Sequence, residues 1–86
     1  MTISFQFAKR LSEMPRYERE GKVWIDDNRL IALIEELFSA WNFGQVSHTY
    51  DEEQDVMCWT FNDGSSLTIA NGWQHHGKPA TYQARA

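Results

Sequence analysis

The chain has 86 residues, which is enough for one domain with a single hydrophobic core. Five Phe, four Trp and three Tyr supply a large buried area, so the composition predicts a folded domain rather than a disordered tail. Twelve acidic residues against eight Lys and Arg leave a net charge of −4. Because the basic residues are also scattered, direct binding to nucleic acid is not expected.

Cys58 is the single cysteine, so no disulfide can form within the chain. This is typical of proteins in a reducing compartment, and we expect a cytoplasmic location. The first eight residues lack a basic segment followed by an apolar run, and no stretch of eighteen apolar residues occurs. The sequence therefore predicts neither a signal peptide nor a membrane span.

The N-terminal third permits two interpretations. Three apolar residues at helical spacing favour a short helix over residues 4–13, ending before Pro15. The alternation of Ile3, Phe5 and Phe7 leaves a strand as the alternative.

The next segment carries charges of both signs. Arg16, Arg19 and Lys22 are interleaved with Glu18 and Glu20, which predicts a solvated loop. A short extended segment over 22–25 is expected to lead into the main helix.

The strongest pattern is an apolar stripe at helical period between Asp26 and about Asn42. Asp26 is a good N-cap residue, and Gly44 can supply a left-handed turn after the helix. The pattern predicts an amphipathic helix that packs on a sheet. The stripe consists of Leu30, Ile31, Ile34, Leu37, Phe38 and Trp41.

After Gly44 the hydrophobic period changes to two. The segments Val46–Tyr50, Val56–Phe61 and Ser65–Ala70 are rich in β-branched and aromatic residues and are separated by turn residues. They predict a three-stranded antiparallel meander. Beyond Gly72 no period is sustained, so residues 74–86 are expected to form loop, frayed after about residue 77.

The turn at Gly64 sets the predicted register. A three-residue loop with Gly64 left-handed pairs Trp59 with Leu67 and, further along, Met57 with Ile69. One face then carries the apolar side chains and packs against the helix. A four-residue acidic turn over residues 51–54 joins the first predicted strand to the second, and it places His48 beside Met57 on the same face. The opposite face is small and largely hydroxylated, and consists of Ser47, Thr49, Val56, Cys58, Thr60, Ser66, Thr68 and Ala70.

The predicted fold is therefore a single α+β domain over residues 1–86. A three-stranded antiparallel meander has one amphipathic helix on one face, and a short helix or strand precedes them.

The residue types of catalytic and metal sites are present without the required spacing. His48, His75, His76 and Cys58 form no Cys-x-x-Cys or His-x-x-x-His pattern. Cys58 and His48 are predicted on opposite sheet faces and cannot share a proton. No phosphate-binding loop or nucleophile elbow occurs either, so we expect no enzyme, cofactor or metal.

Two features indicate protein binding. Acidic residues crowd one hairpin and one helix face, and would attract a protein with a basic surface. The alternative is that the charges only keep the domain soluble. Trp24 and Trp73 stand near segment ends, where they either anchor a partner or close the ends of the core. The predicted partner-binding residues are Asp51, Glu52, Glu53, Asp55, Glu35, Glu36, Trp24 and Trp73.

The segment Trp59–Leu67, with the sequence WTFNDGSSL, resembles the aromatic strand, Asp/Asn turn and Ser-x-Leu strand of some small phage-encoded proteins, including certain anti-CRISPR inhibitors. The resemblance implies a non-enzymatic protein that blocks a nucleic-acid-handling defence complex of a bacterial host by covering a functional surface. It assigns no role to an individual residue. The alternatives are an antitoxin or immunity protein with an acidic face, and a small metal-dependent hydrolase.

Overall fold

The computed structural model describes residues 1–39 and 45–86, without the side chains at 45 and 46. It shows two helices and two antiparallel sheets, which confirms the α+β class. The elements in chain order are α1 (Ile3–Ser12), β1 (Arg16–Arg19), β2 (Lys22–Ile25), α2 (Asp27–Phe38), β3 (Gln45–Asp51), β4 (Val56–Phe61), β5 (Ser66–Ala70) and β6 (Thr81–Arg85).

The N-terminal segment is a helix, as the spacing favoured. Thr2 caps α1, since its side chain accepts a hydrogen bond from the Phe5 N–H. The N–H of Ile3 donates to Asp63 Oδ2 at 2.8 Å, and the N–H of Ser4 donates to Ser65 Oγ at 3.2 Å. The start of α1 is thereby tied to the turn between β4 and β5.

The mixed-charge segment is a hairpin, which corrects the prediction of a loop there. β1 and β2 pair antiparallel, with Tyr17 opposite Trp24, and Gly21 adopts φ +74° in the turn between them. The charged side chains of β1 are exposed, as expected. The extended segment predicted over 22–25 is β2, and its backbone groups form hydrogen bonds with β1, which makes the two segments a hairpin.

The main helix begins as predicted and ends earlier. Asp26 caps α2, with its Oδ1 accepting from the Arg29 N–H at 3.1 Å. The helix ends at Phe38 rather than near Asn42, and Ser39 is its C-cap. The predicted positions of Trp41 and Gly44 lie outside the described residues. Of the stripe, Leu30, Ile34 and Leu37 are buried, Ile31 and Phe38 are half-buried, and Leu33 is a buried member that the sequence stripe omitted.

The large sheet has four strands in the order β3-β4-β5-β6, not three. β6 adds Thr81–Arg85 to the edge of β5, within the segment for which loop and fraying were predicted. Tyr82 and Ala84 pack against the core while the residues between and beside them are exposed. This alternation is the pattern of an edge strand, too short and too polar to stand out in the sequence.

The register between β4 and β5 is the predicted one. Trp59 pairs with Leu67, Met57 pairs with Ile69, and Gly64 has φ +85°. The register between β3 and β4 differs, because His48 lies opposite Trp59 and Tyr50 lies opposite Met57. The predicted pairing of His48 with Met57 is therefore wrong by two residues. The four-residue turn after β3 begins one position later than expected, which moves the pairing of the two strands by two residues. Because side chains alternate between faces with a period of two, each residue stays on its predicted face.

The core lies between the two helices and the inner sheet face. Its buried members are Phe7, Leu11, Ile25, Leu30, Leu33, Ile34, Leu37, Met57, Trp59, Phe61, Leu67 and Ile69. No described helix is long and apolar enough to cross a membrane.

Candidate functional site

The β3–β4 turn presents acidic side chains to solvent. Asp51, Glu52 and Glu53 are exposed, and Asp51 Oδ1 accepts a hydrogen bond from the Gln54 N–H at 3.1 Å. These three carboxyl groups follow one another in the chain. They therefore form a compact negative surface, here called the acidic turn.

Asp55 does not belong to this surface, although the sequence grouped it there. Its side chain is fully buried. Oδ2 accepts hydrogen bonds from the backbone N–H groups of Trp73 at 3.3 Å, Gln74 at 2.7 Å and His75 at 2.9 Å, and Oδ1 accepts one from the Tyr50 hydroxyl at 3.1 Å. The role of Asp55 is to hold the loop after β5 against the β3–β4 turn.

The electrostatics of Asp55 follow from these contacts. Burial alone raises the pKa of a carboxyl group, because it disfavours the charged form. The N–H donors of His75 and Gln74, the Tyr50 hydroxyl and the Trp73 N–H outweigh burial and hold the pKa of Asp55 below its ordinary value. Asp55 is therefore a carboxylate at neutral pH.

An apolar cleft of about 190 Å³ lies at the end of β3 that leads into the acidic turn. Phe38, Tyr50, Met57 and Trp73 line it. Tyr50 is 39% exposed and Trp73 is 48% exposed, so two aromatic side chains in the same cleft remain open to solvent. Single exposed apolar residues are common, but an aromatic pair around a concave surface is typical of a binding site.

Gln74 connects the cleft to the acidic turn. Its Nε2 donates to the Tyr50 hydroxyl at 2.9 Å and to the Glu52 carbonyl at 3.3 Å. Together with the Asp55 contacts, this fixes the Tyr50 ring relative to the Trp73 backbone. The acidic turn and the aromatic cleft thus form one prearranged surface, here called the cleft surface.

The structure separates the two tryptophans that the sequence grouped. Trp24 is only 8% exposed, and its Nε1 donates to the Arg19 carbonyl at 3.1 Å. Its ring packs against His75, with centroids 5.8 Å apart, and it offers little area to a partner. Trp73 has the opposite character and is part of the cleft surface.

Glu35 and Glu36 are also separated by their contacts. Glu36 forms a two-point ion pair with Arg10 of α1, with N–O distances of 2.9 and 2.7 Å. These hydrogen bonds lower the pKa of Glu36 and raise that of Arg10. The Arg10–Glu36 ion pair joins the two helices, so the charge of Glu36 is compensated and adds nothing to a binding surface. Glu35 is exposed on α2.

A polar cluster that the sequence did not reveal links α2 to the loop after β5. His75 Nε2 lies 3.4 Å from Asp27 Oδ1, and the Tyr17 hydroxyl donates to Asp27 Oδ2 at 3.1 Å. A carboxylate beside an imidazole resembles part of a catalytic site. However, Nδ1 of His75 is buried, so its second nitrogen is not presented to a substrate. The cluster is better suited to holding the loop.

Cys58 and His48 lie on opposite faces of the sheet, as the sequence predicted, since Cys58 pairs with Thr49 rather than with His48. Thr68 Oγ1 lies 3.5 Å from the Cys58 sulfur. His48 instead packs against Phe38, with ring centroids 4.8 Å apart. Within residues 1–39 and 45–86, no three His, Cys, Asp or Glu side chains converge as metal ligands would.

Comparison with known proteins found no matching family model, no matching curated protein and no matching solved structure.

Proposed function

We propose that this chain is a non-enzymatic binding protein that uses the cleft surface to engage a protein partner with a basic surface. One observation carries the proposal: Tyr50 and Trp73 are both exposed in one cleft, and Tyr50 leads directly into a turn with three exposed acidic residues. This combines the two binding features that the sequence suggested separately. Of the predicted partner-binding residues, Asp51, Glu52, Glu53 and Trp73 belong to this surface.

The cleft suits a side chain that is both apolar and cationic. A volume of about 190 Å³ accommodates one large side chain. The stem of an Arg or Lys can lie along the aromatic rings, and its charged end can extend toward the acidic turn. Arg fits best, because its planar guanidinium stacks on aromatic rings and pairs with carboxylates.

The rigidity of the cleft surface favours binding. Asp55 and Gln74 hold Tyr50 and the Trp73 backbone in place before any partner arrives. A prearranged aromatic anchor loses little conformational entropy on association. Trp and Tyr at such positions commonly contribute a large share of the binding energy.

We further propose that the partner is a nucleic-acid-handling defence complex of a bacterial host, and that the chain is a phage or mobile-element inhibitor acting in the host cytoplasm. The support is the resemblance of the Trp59–Leu67 hairpin to small phage-encoded inhibitors. A basic surface that normally contacts nucleic acid is also the kind of surface that an acidic cleft rim would attract.

The proposal is tested with purified bacterial defence complexes that carry basic nucleic-acid channels. Stoichiometric, saturable binding that blocks nucleic-acid loading is expected from the unmodified chain. The variant Glu52→Lys/Glu53→Lys should bind at least about tenfold more slowly at low salt, with a smaller difference at high salt. The matched control is Glu18→Lys/Glu20→Lys on the exposed β1–β2 hairpin, which has the same charge change.

A second variant tests the aromatic part of the surface. Trp73→Ala should weaken binding mainly through faster dissociation, because it removes contact area rather than long-range attraction. If the cleft and control variants bind alike, the cleft surface is not the interface. If none of the complexes binds the unmodified chain, the proposed class of partner is wrong.

A further inference from the structure

The free edge of β6 lies at the opposite end of the large sheet from the cleft surface. The Phe61 N–H donates to the Ser65 carbonyl, and the Asn71 N–H donates to the Asp55 carbonyl. Both bonds join odd-numbered residues of the two neighbouring segments. Because the direction of the backbone N–H and C=O groups alternates along a strand, the odd-numbered residues of β5 direct these groups toward β4, and the even-numbered residues direct them toward β6.

The same alternation determines which groups of β6 are free. Thr68 faces Gln83 in the register of β5 and β6, so Gln83 directs its backbone groups toward β5. Tyr82 and Ala84 then direct their N–H and C=O groups away from the sheet. Among the described residues, no other group bonds to them.

This edge lacks most of the features that usually prevent strand pairing. Apart from Arg85 at its end, β6 contains no charge and no proline, and the register between β5 and β6 has no bulge. Natural edge strands generally use one of these devices against association with another strand.

The edge is also self-complementary. If two copies of β6 pair antiparallel about a two-fold axis at Gln83, Tyr82 of each copy lies opposite Ala84 of the other. Four backbone hydrogen bonds then form between the groups that are free in one copy. Arg85 lies opposite Thr81 of the other copy, so no like charges face each other.

Helix α1 presents an apolar side chain at the same edge. Arg10 is directed toward α2 by its ion pair with Glu36. Phe5 precedes Arg10 by five residues, which places it about 140° away around the helix, on the side of α1 turned away from α2. It is 42% exposed.

The spacing of a paired sheet suits the two helices. Helix α1 contacts both β5 and β6, so its axis lies over these two strands. It is then about 5 Å from the proposed two-fold axis, since neighbouring strands are about 4.8 Å apart. The two α1 helices would then lie about 10 Å apart, which is a normal distance for packed helices. Phe5 of each copy would be buried between them.

We propose that two copies of this chain associate through their β6 edges into a continuous eight-stranded sheet, with α1 packed against α1 and Phe5 at the interface. One strand pair and one helix pair form a small interface, which is typical of weak association. The dimer leaves the cleft surface of each copy open.

The test is the mass of the full chain in solution, measured by sedimentation equilibrium from about 10 µM to 1 mM. The unmodified chain should approach twice the 10.1 kDa of one copy as concentration rises. Gln83→Lys and Gln83→Glu each place like charges opposite each other on the two-fold axis. Each variant alone should dissociate at least about tenfold more readily, and their equimolar mixture should recover the dimer.

Two further variants locate the interface. Phe5→Ser should weaken the dimer without unfolding the chain, because the Phe5 side chain is exposed. Thr49→Lys adds a charge to β3, at the other edge of the sheet, and should leave the dimer unchanged. A chain that stays monomeric throughout the range overturns the proposal. The proposal is also overturned if Gln83→Lys and Gln83→Glu both dimerise as well as the unmodified chain, or if their equimolar mixture does not form a dimer.

Discussion

Replacing Asp55 tests whether one buried carboxylate holds the cleft surface together. Asp55→Ala removes the acceptor of three backbone N–H groups and of the Tyr50 hydroxyl. Water can reach some of these donors, so about one or two remain unpaired at about 1–3 kcal/mol each. Asp55 also has φ +53°, where Ala costs about 1 kcal/mol more. We expect a total loss of about 2–7 kcal/mol.

That loss is large for a chain of 86 residues, whose whole free energy of unfolding is expected to be about 4–13 kcal/mol. Urea unfolding followed by tryptophan fluorescence measures it. Asp55→Asn keeps a neutral acceptor and tolerates the left-handed backbone, so it should cost only about 1–2 kcal/mol. The exposed control Asp51→Ala removes one hydrogen bond and should cost no more than about 0.5–1 kcal/mol.

The dependence on pH gives an independent check. The pKa of Asp55 is lower in the folded chain than its ordinary value of about 3.9. Its stabilising contribution is therefore complete above that value and disappears as the pH falls through the folded pKa. The stability difference between the unmodified chain and Asp55→Asn should narrow over this acidic range. Equal stability of Asp55→Ala and the unmodified chain at pH 7 would refute the assigned role.

Three further substitutions test the turn, the core and the close packing beside it, each by the shift of the urea midpoint. Gly64→Val should cost about 1 kcal/mol or more from backbone strain alone, since within the described part of the chain no atom beyond the two neighbouring residues lies within 4 Å of an added Cβ; an unchanged midpoint would contradict the left-handed turn. Leu37→Ala should cost about 2–5 kcal/mol, because Leu37 is fully buried between α2 and the sheet; near-wild-type stability would contradict that packing. Gly72→Ala should cost about 1–3 kcal/mol, because its Cβ would lie 2.7 Å from Ile69 Cγ2; a stabilised variant would show that the neighbours can move.

The candidate site was only partly predictable from the sequence. A run of acidic residues in a turn is visible in the sequence, and Glu52 and Glu53 are exposed as expected. The separate role of Asp55 was not visible, because its donors come from a loop about twenty residues later in the chain. Burial and hydrogen bonding depend on that long-range contact and not on the local charge pattern.

The sequence by itself determined the elements whose signals are local. Helical period and the Asp26 cap located α2, and the left-handed Gly64 set the register of β4 and β5, since a turn allows few strand pairings. Only the tertiary structure decided that Thr81–Arg85 is a strand, because an edge strand takes its hydrogen bonds from a neighbour and needs no strong pattern of its own. It likewise decided that Trp24 is buried and Trp73 faces solvent. Both stand near segment ends, and the burial of each ring is set by what packs against it.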